Sequence, residues 1–111
     1  MKILFIVINN EEHLREIVEE FAKNDIRGGT ILESKGLGNL TNKYMEEGYF
    51  TYLKIFMPSP INYNKTIFLV LDDEKTEIAK ECVRKILGDM SKANTGIMFT
   101  LNIDEVEGLT K

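Results

Sequence analysis

The residues able to do chemistry are few. His13 is the only histidine and Cys82 the only cysteine. His13 stands among Glu11, Glu12 and Glu16, so a metal or acid–base role would need carboxylates about one helical turn away. Without a second histidine or clustered cysteines no transition-metal site is specified, and His13 reads as a solvated helix residue. Ser34, Ser59 and Ser91 lack the sequence context of a nucleophile, and His13 is the only imidazole that could serve as their base. Cys82 falls on an apolar helical stripe, the place of a small core residue rather than a reactive thiol. No catalytic residue and no metal ligand is assigned, and the chain reads as a non-enzyme.

Binding chemistry has more to work with. Gly36-Leu37-Gly38 follows a β-rich run and opens a long loop, where backbone N–H groups can turn toward an anion and only glycine permits close approach. Asn94-Thr95-Gly96 is a second short turn, just before another β-rich run. Each is also readable as a plain turn. Between them, residues 39–64 hold Tyr44, Tyr49, Phe50, Tyr52, Phe56 and Tyr63, which is every tyrosine and most of the aromatic residues. Such a segment either packs on the sheet or a neighbouring subunit, or lids a ligand or binds a partner. Tyr44, Tyr49, Phe50 and Tyr52 are its candidate partner contacts, because aromatic rings supply large contact area at low entropic cost.

The elements that position these motifs follow from periodicity. Lys2–Ile8 is continuously apolar after its lysine, as a strand buried on both faces would be. Asn9 or Asn10 can cap a helix, with Glu11 and Glu12 placed well against its dipole. Leu14, Ile17, Val18, Phe21 and Ala22 form its stripe, and Asn24-Asp25 closes it. Thr30–Ser34 is a second strand. Pro58 and Pro60 break the 39–64 segment. Thr66–Leu71 repeats the first strand's signature, and Asp72 or Asp73 caps a second helix with the stripe Ile78, Cys82, Val83, Ile86 and Leu87. Gly88 stands near its end. Ser91–Thr95 connects to a fourth strand, Gly96–Ile103, and Asp104–Lys111 is a short tail.

Length and composition bound the rest. The 111 residues suit one domain, since domains run roughly 50–250 residues. The 43% hydrophobic and 29% charged residues are ordinary for a globular chain. A net charge of −4 without a basic block gains little from neutralising phosphates, which argues against a nucleic-acid partner. A lone cysteine suits a reducing, cytoplasmic setting. The apolar run Ile3–Ile8 is short of the roughly 7–15 residues of a secretory signal, and no run nears the roughly 20 residues of a membrane span.

The order β-α-β-(long insertion)-β-α-β predicts an α+β fold over residues 1–111, a ferredoxin-like sandwich. Its sheet would be four-stranded and antiparallel, with strands one and three central and both helices on one face. Two helices cover only one face of such a sheet. Yet Ile3, Phe5 and Val7 are as apolar as Leu4, Ile6 and Ile8, so the uncovered face would exceed the patch a monomer tolerates. Either residues 39–64 fold over it or other subunits do. A closed oligomer with the sheets lining its centre is the favoured arrangement.

Taken together, these pieces resemble the P-II nitrogen-regulatory signalling family and its P-II-like relatives over almost the full chain. Gly29–Gly38 is similar to the family's second strand and the glycines after it. Ile67–Asp73 is similar to its third strand entering the second helix, and Gly96–Val106 to its final strand with an acidic exit. The resemblance implies a homotrimer that binds an adenine nucleotide in clefts between subunits. It makes Gly36, Leu37, Gly38, Asn94, Thr95 and Gly96 the candidate effector site. Residues 39–64 become the loop that controls a partner such as a transporter or enzyme.

The chain departs from the family at its phosphate ligands. Ile97 stands where a lysine is expected, and after Asp104 the only cation is Lys111. Without such forks a nucleotide's phosphates are poorly paired, so the effector is open between a nucleotide held by backbone N–H groups and something less charged. Tyr44 is followed by Met45-Glu46-Glu47, not by the Arg-Gly that accompanies the family's modified tyrosine. Two alternatives stand beside this reading: a divalent-cation-tolerance-type trimer of the same architecture, and a structural interaction trimer without an effector.

Overall fold

The structure is a computed structural model that describes residues 1–36, 63–92 and 95–109. Its elements run β1 (Lys2–Ile8), α1 (Glu11–Lys23), β2 (Thr30–Lys35), β3 (Tyr63–Leu71), α2 (Asp73–Leu87) and β4 (Ile97–Asn102). The four strands form one antiparallel sheet in the order β2-β3-β1-β4. This is the expected α+β, ferredoxin-like architecture, with the two unalternating runs, β1 and β3, at its centre.

Local chemistry sets the helix ends. Asn10 is the cap of α1, its side chain accepting from the backbone N–H of His13 at 3.0 Å. Asp72 caps α2 in the same way, accepting from the N–H of Lys75 at 2.7 Å. Each cap satisfies a donor that the first helical turn leaves without a partner. At the other end of α2, Gly88 takes φ +70° and its N–H returns to the carbonyl of Arg84 at 2.8 Å.

The core lies between the helices and one face of the sheet. Leu4, Ile6 and Ile8 from β1 meet Ile67, Leu69 and Leu71 from β3 beneath Ile17 and Phe21 of α1 and Ala79, Cys82, Val83 and Leu87 of α2. The α1 stripe differs from the expected one. Val18 and Ala22 of that stripe are exposed and Glu20 is 8% exposed, so α1 is rolled to bring Glu20 over α2. The burial is tolerable because Lys85 of α2 donates to Glu20 Oε2 at 3.1 Å, leaving the charge paired.

Three strand boundaries also differ. β2 runs one residue further, to Lys35, and β4 is confined to Ile97–Asn102. β3 starts at Tyr63 rather than Thr66, so Tyr63 and Asn64 belong to the sheet and not to the expected 39–64 loop. The polar start of β3 is held by its partners: Lys65 pairs with Glu33 across the β2–β3 ladder, and Ser34 and Thr66 share a hydroxyl hydrogen bond of 2.8 Å. Of that loop, residues 39–62 lie outside the described residues.

Among the described residues, the second face of the sheet carries no helix. Phe5 stacks on Phe99, with ring centroids 5.0 Å apart, and meets Phe68 at 5.9 Å. Around this row the register sets Ile3 beside Leu101 and Val70, and Val7 beside Ile97 and Thr66. Leu32 is 50% exposed, Ile97 55%, Phe99 42% and Leu101 54%. Among the described residues nothing charged occupies a strand position of this face between these side chains.

Candidate functional site

The connection from β2 to β3 leaves the sheet where β1 ends and β4 begins. Antiparallel pairing brings the C-terminal ends of β2 and β1 to the same end as the N-terminal ends of β3 and β4. Gly36 lies just past β2 and Gly96 just before β4. Gly36 and Gly96, one residue from each expected glycine motif, therefore abut one end of the sheet, the end at which β2 gives way to the β2–β3 connection. They are not neighbours within the chain. β2 and β4 are the two edge strands, and three strand spacings separate them by about 14 Å. One small molecule cannot be held closely by both glycines of the same subunit. Leu37, Gly38 and Asn94 lie outside the described residues, as do Tyr44, Tyr49, Phe50 and Tyr52.

Gly96 is built into this end. Its φ is +134°, and a Cβ there would sit 3.0 Å from the carbonyl oxygen of Val7 and 3.2 Å from Ile8 Cγ2. Beside it opens a cavity of about 160 Å³ lined by Val7, Ile8, Asn9, Asn64, Gly96 and Ile97. Asn9 and Asn64 continue the register one step beyond the Ile8–Lys65 pair, which is why two residues 55 positions apart share the cavity. Sequence reading assigned Asn9 to a helix cap and Asn64 to a loop. Only the early start of β3, a tertiary feature, reveals them.

The chemistry of the cavity is neutral. Among the described residues no ionisable side chain lines it, and the nearby Lys65 is engaged by Glu33, with Glu11 at 3.8 Å. A larger cleft of about 330 Å³ at the opposite end of the sheet is lined by Asp25, Arg27, Val70, Leu71, Asp72 and Lys75, among others. Its cations are taken up by Asp25. Arg27 Nε donates to Asp25 Oδ1 at 2.8 Å and Lys75 Nζ to the Asp25 carbonyl at 2.7 Å. The Arg27 hydrogen bond is the first cause holding the Asp25 carboxyl below its usual range.

Cys82 is 5% exposed, with Sγ 3.8 Å from the carbonyl of Glu20, and burial pushes its thiol pKa up. His13 lies in the first turn of α1, its backbone N–H bound by the Asn10 cap. Among the described residues no group of three or more His, Cys, Asp or Glu side chains is arranged to hold a metal ion, and no helix is long and apolar enough to cross a membrane. Compared with family models and with curated proteins, the chain finds no match.

Proposed function

We propose that this chain is a P-II-like regulatory protein, a non-enzymatic cytoplasmic homotrimer. It binds a small effector in clefts between subunits and controls a partner protein, such as a transporter or enzyme, through the loop after β2. The observation that carries this reading is the placement of Gly36 and Gly96 on opposite edges of one sheet, at the end where that loop begins and returns. Two turns suited to ligand approach but about 14 Å apart can share one ligand only when the β2 edge of one subunit meets the β4 edge of another. The apolar face that neither described helix covers would supply the driving force for such assembly, since a contiguous exposed apolar patch marks an interaction surface. An effector at that junction would touch the base of the loop, and coupling follows if it favours one loop state over another.

The test is light scattering of the purified protein together with limited proteolysis across an effector library. A trimer whose cleavage within residues 37–62 changes with one compound is expected. A monomer overturns the reading. A trimer whose cleavage pattern no compound changes supports the interaction trimer without an effector, a reading that the same bare face also favours.

A further inference from the structure

We infer that the cleft of about 330 Å³ at the end of the sheet opposite Gly36 and Gly96 binds a small aliphatic monocarboxylate. Its head group would sit on Arg27 and Lys75, and its chain against Val70, Leu71 and Leu109. The cleft lies within one subunit, so the inference does not depend on the assembly proposed above.

The segment after α1 supplies the polar part of the lining. Asp25 takes a positive φ of 58°. Ile26, 4% exposed, is anchored in the core, its N–H donating to the Phe21 carbonyl at 2.8 Å. Lys75 of α2 ties the same segment down through the Asp25 carbonyl. Arg27 therefore springs from a fixed stretch of backbone, a preorganisation that lowers the ordering cost of binding.

The donors exceed what Asp25 can use. A guanidinium carries donors enough for two carboxylates. Asp25 engages Arg27 through Nε, and the Nη pair forms a second edge, able to hold a carboxylate with two parallel hydrogen bonds. Lys75 brings an ammonium to the same lining. The two acids that share the cleft are committed elsewhere. Asp72 caps α2 through the Lys75 N–H at 2.7 Å, and Asp25 is paired with Arg27 and Lys75.

The aliphatic lining selects the body of the ligand. Leu109 is 42% exposed, so a hydrocarbon chain laid on it removes apolar surface from water. The volume is at the low end of the roughly 300–1,000 Å³ of small-molecule pockets, which suits a short chain. A cationic head group of the same length would be repelled by Arg27 and Lys75.

The experiment is a two-dimensional amide NMR titration of the intact protein with hexanoate, hexanol, hexylamine and acetate, repeated on Arg27→Gln, Arg27→Lys and Leu109→Asn. Both mutated side chains are exposed, so the variants are expected to keep the parent spectrum. Hexanoate should shift the amides of Asp25, Arg27, Lys75 and Leu109, and bind about tenfold or more tightly than the other three compounds. Arg27→Gln should weaken hexanoate about tenfold, with Arg27→Lys recovering only part of the loss because lysine lacks the planar fork. Leu109→Asn should weaken it about threefold or more. Hexylamine binding as tightly as hexanoate overturns the inference, as does unchanged hexanoate affinity in Arg27→Gln or in Leu109→Asn. Shifts confined to the sheet face around Phe5, or no saturable shift at all, overturn it too.

Discussion

The ring of Phe5 lies nearly parallel to that of Phe99, 5.0 Å away and tilted by 13°, on the face of the sheet that neither helix covers. Phe68 extends the pair on the other side of Phe5, so one aromatic row crosses β3, β1 and β4. Such pairs are worth about 0.5–1.5 kcal/mol beyond their area, but a row with one side in water forgoes most of the burial it could have. The residues around it make the same point, since Leu32, Ile97 and Leu101 are at least half exposed. A sheet face composed this way gains that burial only when something covers it.

A charge at the centre of that face should undo the assembly without undoing the fold. Phe99 stands outside the buried core cluster, so Phe99→Glu is expected to retain native helical circular dichroism. If the proposed trimer assembles through this face, its mass by light scattering should fall to that of a monomer, because a carboxylate would be desolvated at the interface. A variant that remains trimeric would place the contact elsewhere on the molecule.

An aromatic row on an open sheet is also the device by which single-stranded nucleic acids are stacked. That device needs cations along the backbone path, and the strand positions of this face carry Thr30, Ser34 and Thr66 beside apolar residues. A labelled single-stranded RNA or DNA oligonucleotide is expected to show no retention by this protein at about 0.15 M salt. Salt-sensitive binding would point instead to nucleic acid as the occupant of the face.

How much of this was legible in the sequence depends on whether the information was local. β1 and most of β3 are readable because unalternating apolar runs have one common explanation in a small α+β chain. The helices announce themselves through Asn10 and Asp72, although the choice between adjacent cap candidates needed the structure. The start of β3 was missed because Tyr63, Asn64 and Lys65 follow two prolines and look like loop. What makes them strand is the partner across the ladder, Glu33 for Lys65 and Ser34 for Asn64. Val18 was misplaced for a related reason: a five-residue stripe is wider than the face that α2 and the sheet leave for it. The glycine turns were visible as motifs, but their separation is a property of strand order, which spacing along the chain does not encode.

Two glycines with positive φ separate conformational strain from crowding. Gly88 and Gly96 both adopt dihedrals that side chains disfavour, but a Cβ at Gly88 meets nothing within 4 Å while one at Gly96 meets Val7 O at 3.0 Å. Gly88→Ala should cost about 1 kcal/mol of stability, the strain alone. Gly96→Ala should cost more, about 2–4 kcal/mol, since the strand end must also shift. Chemical denaturation of the two variants measures the difference, and equal losses would mean the end of β4 yields freely.

The pH dependence of stability should be set partly by Glu20. Lys85 holds its carboxyl below the ordinary value of 4.5, foremost through a side-chain hydrogen bond, with Lys85 and Lys23 charges adding to the effect against desolvation. A carboxylate whose folded pKa is depressed stabilises the fold fully above its unfolded pKa and loses that contribution as pH falls through the folded pKa. Asp25, Asp73 and Asp89 are shifted in the same direction, so the melting temperature is expected to fall as pH drops below about 4.5. Glu20→Gln should melt lower than the parent at pH 7, because Lys85 loses its charged partner. Its melting temperature should then decline less steeply between pH 5 and pH 3 than the parent's, bringing the two curves together at low pH. Parallel curves across that range would show that Glu20 and Lys85 contribute packing rather than a charge-assisted bond between α1 and α2.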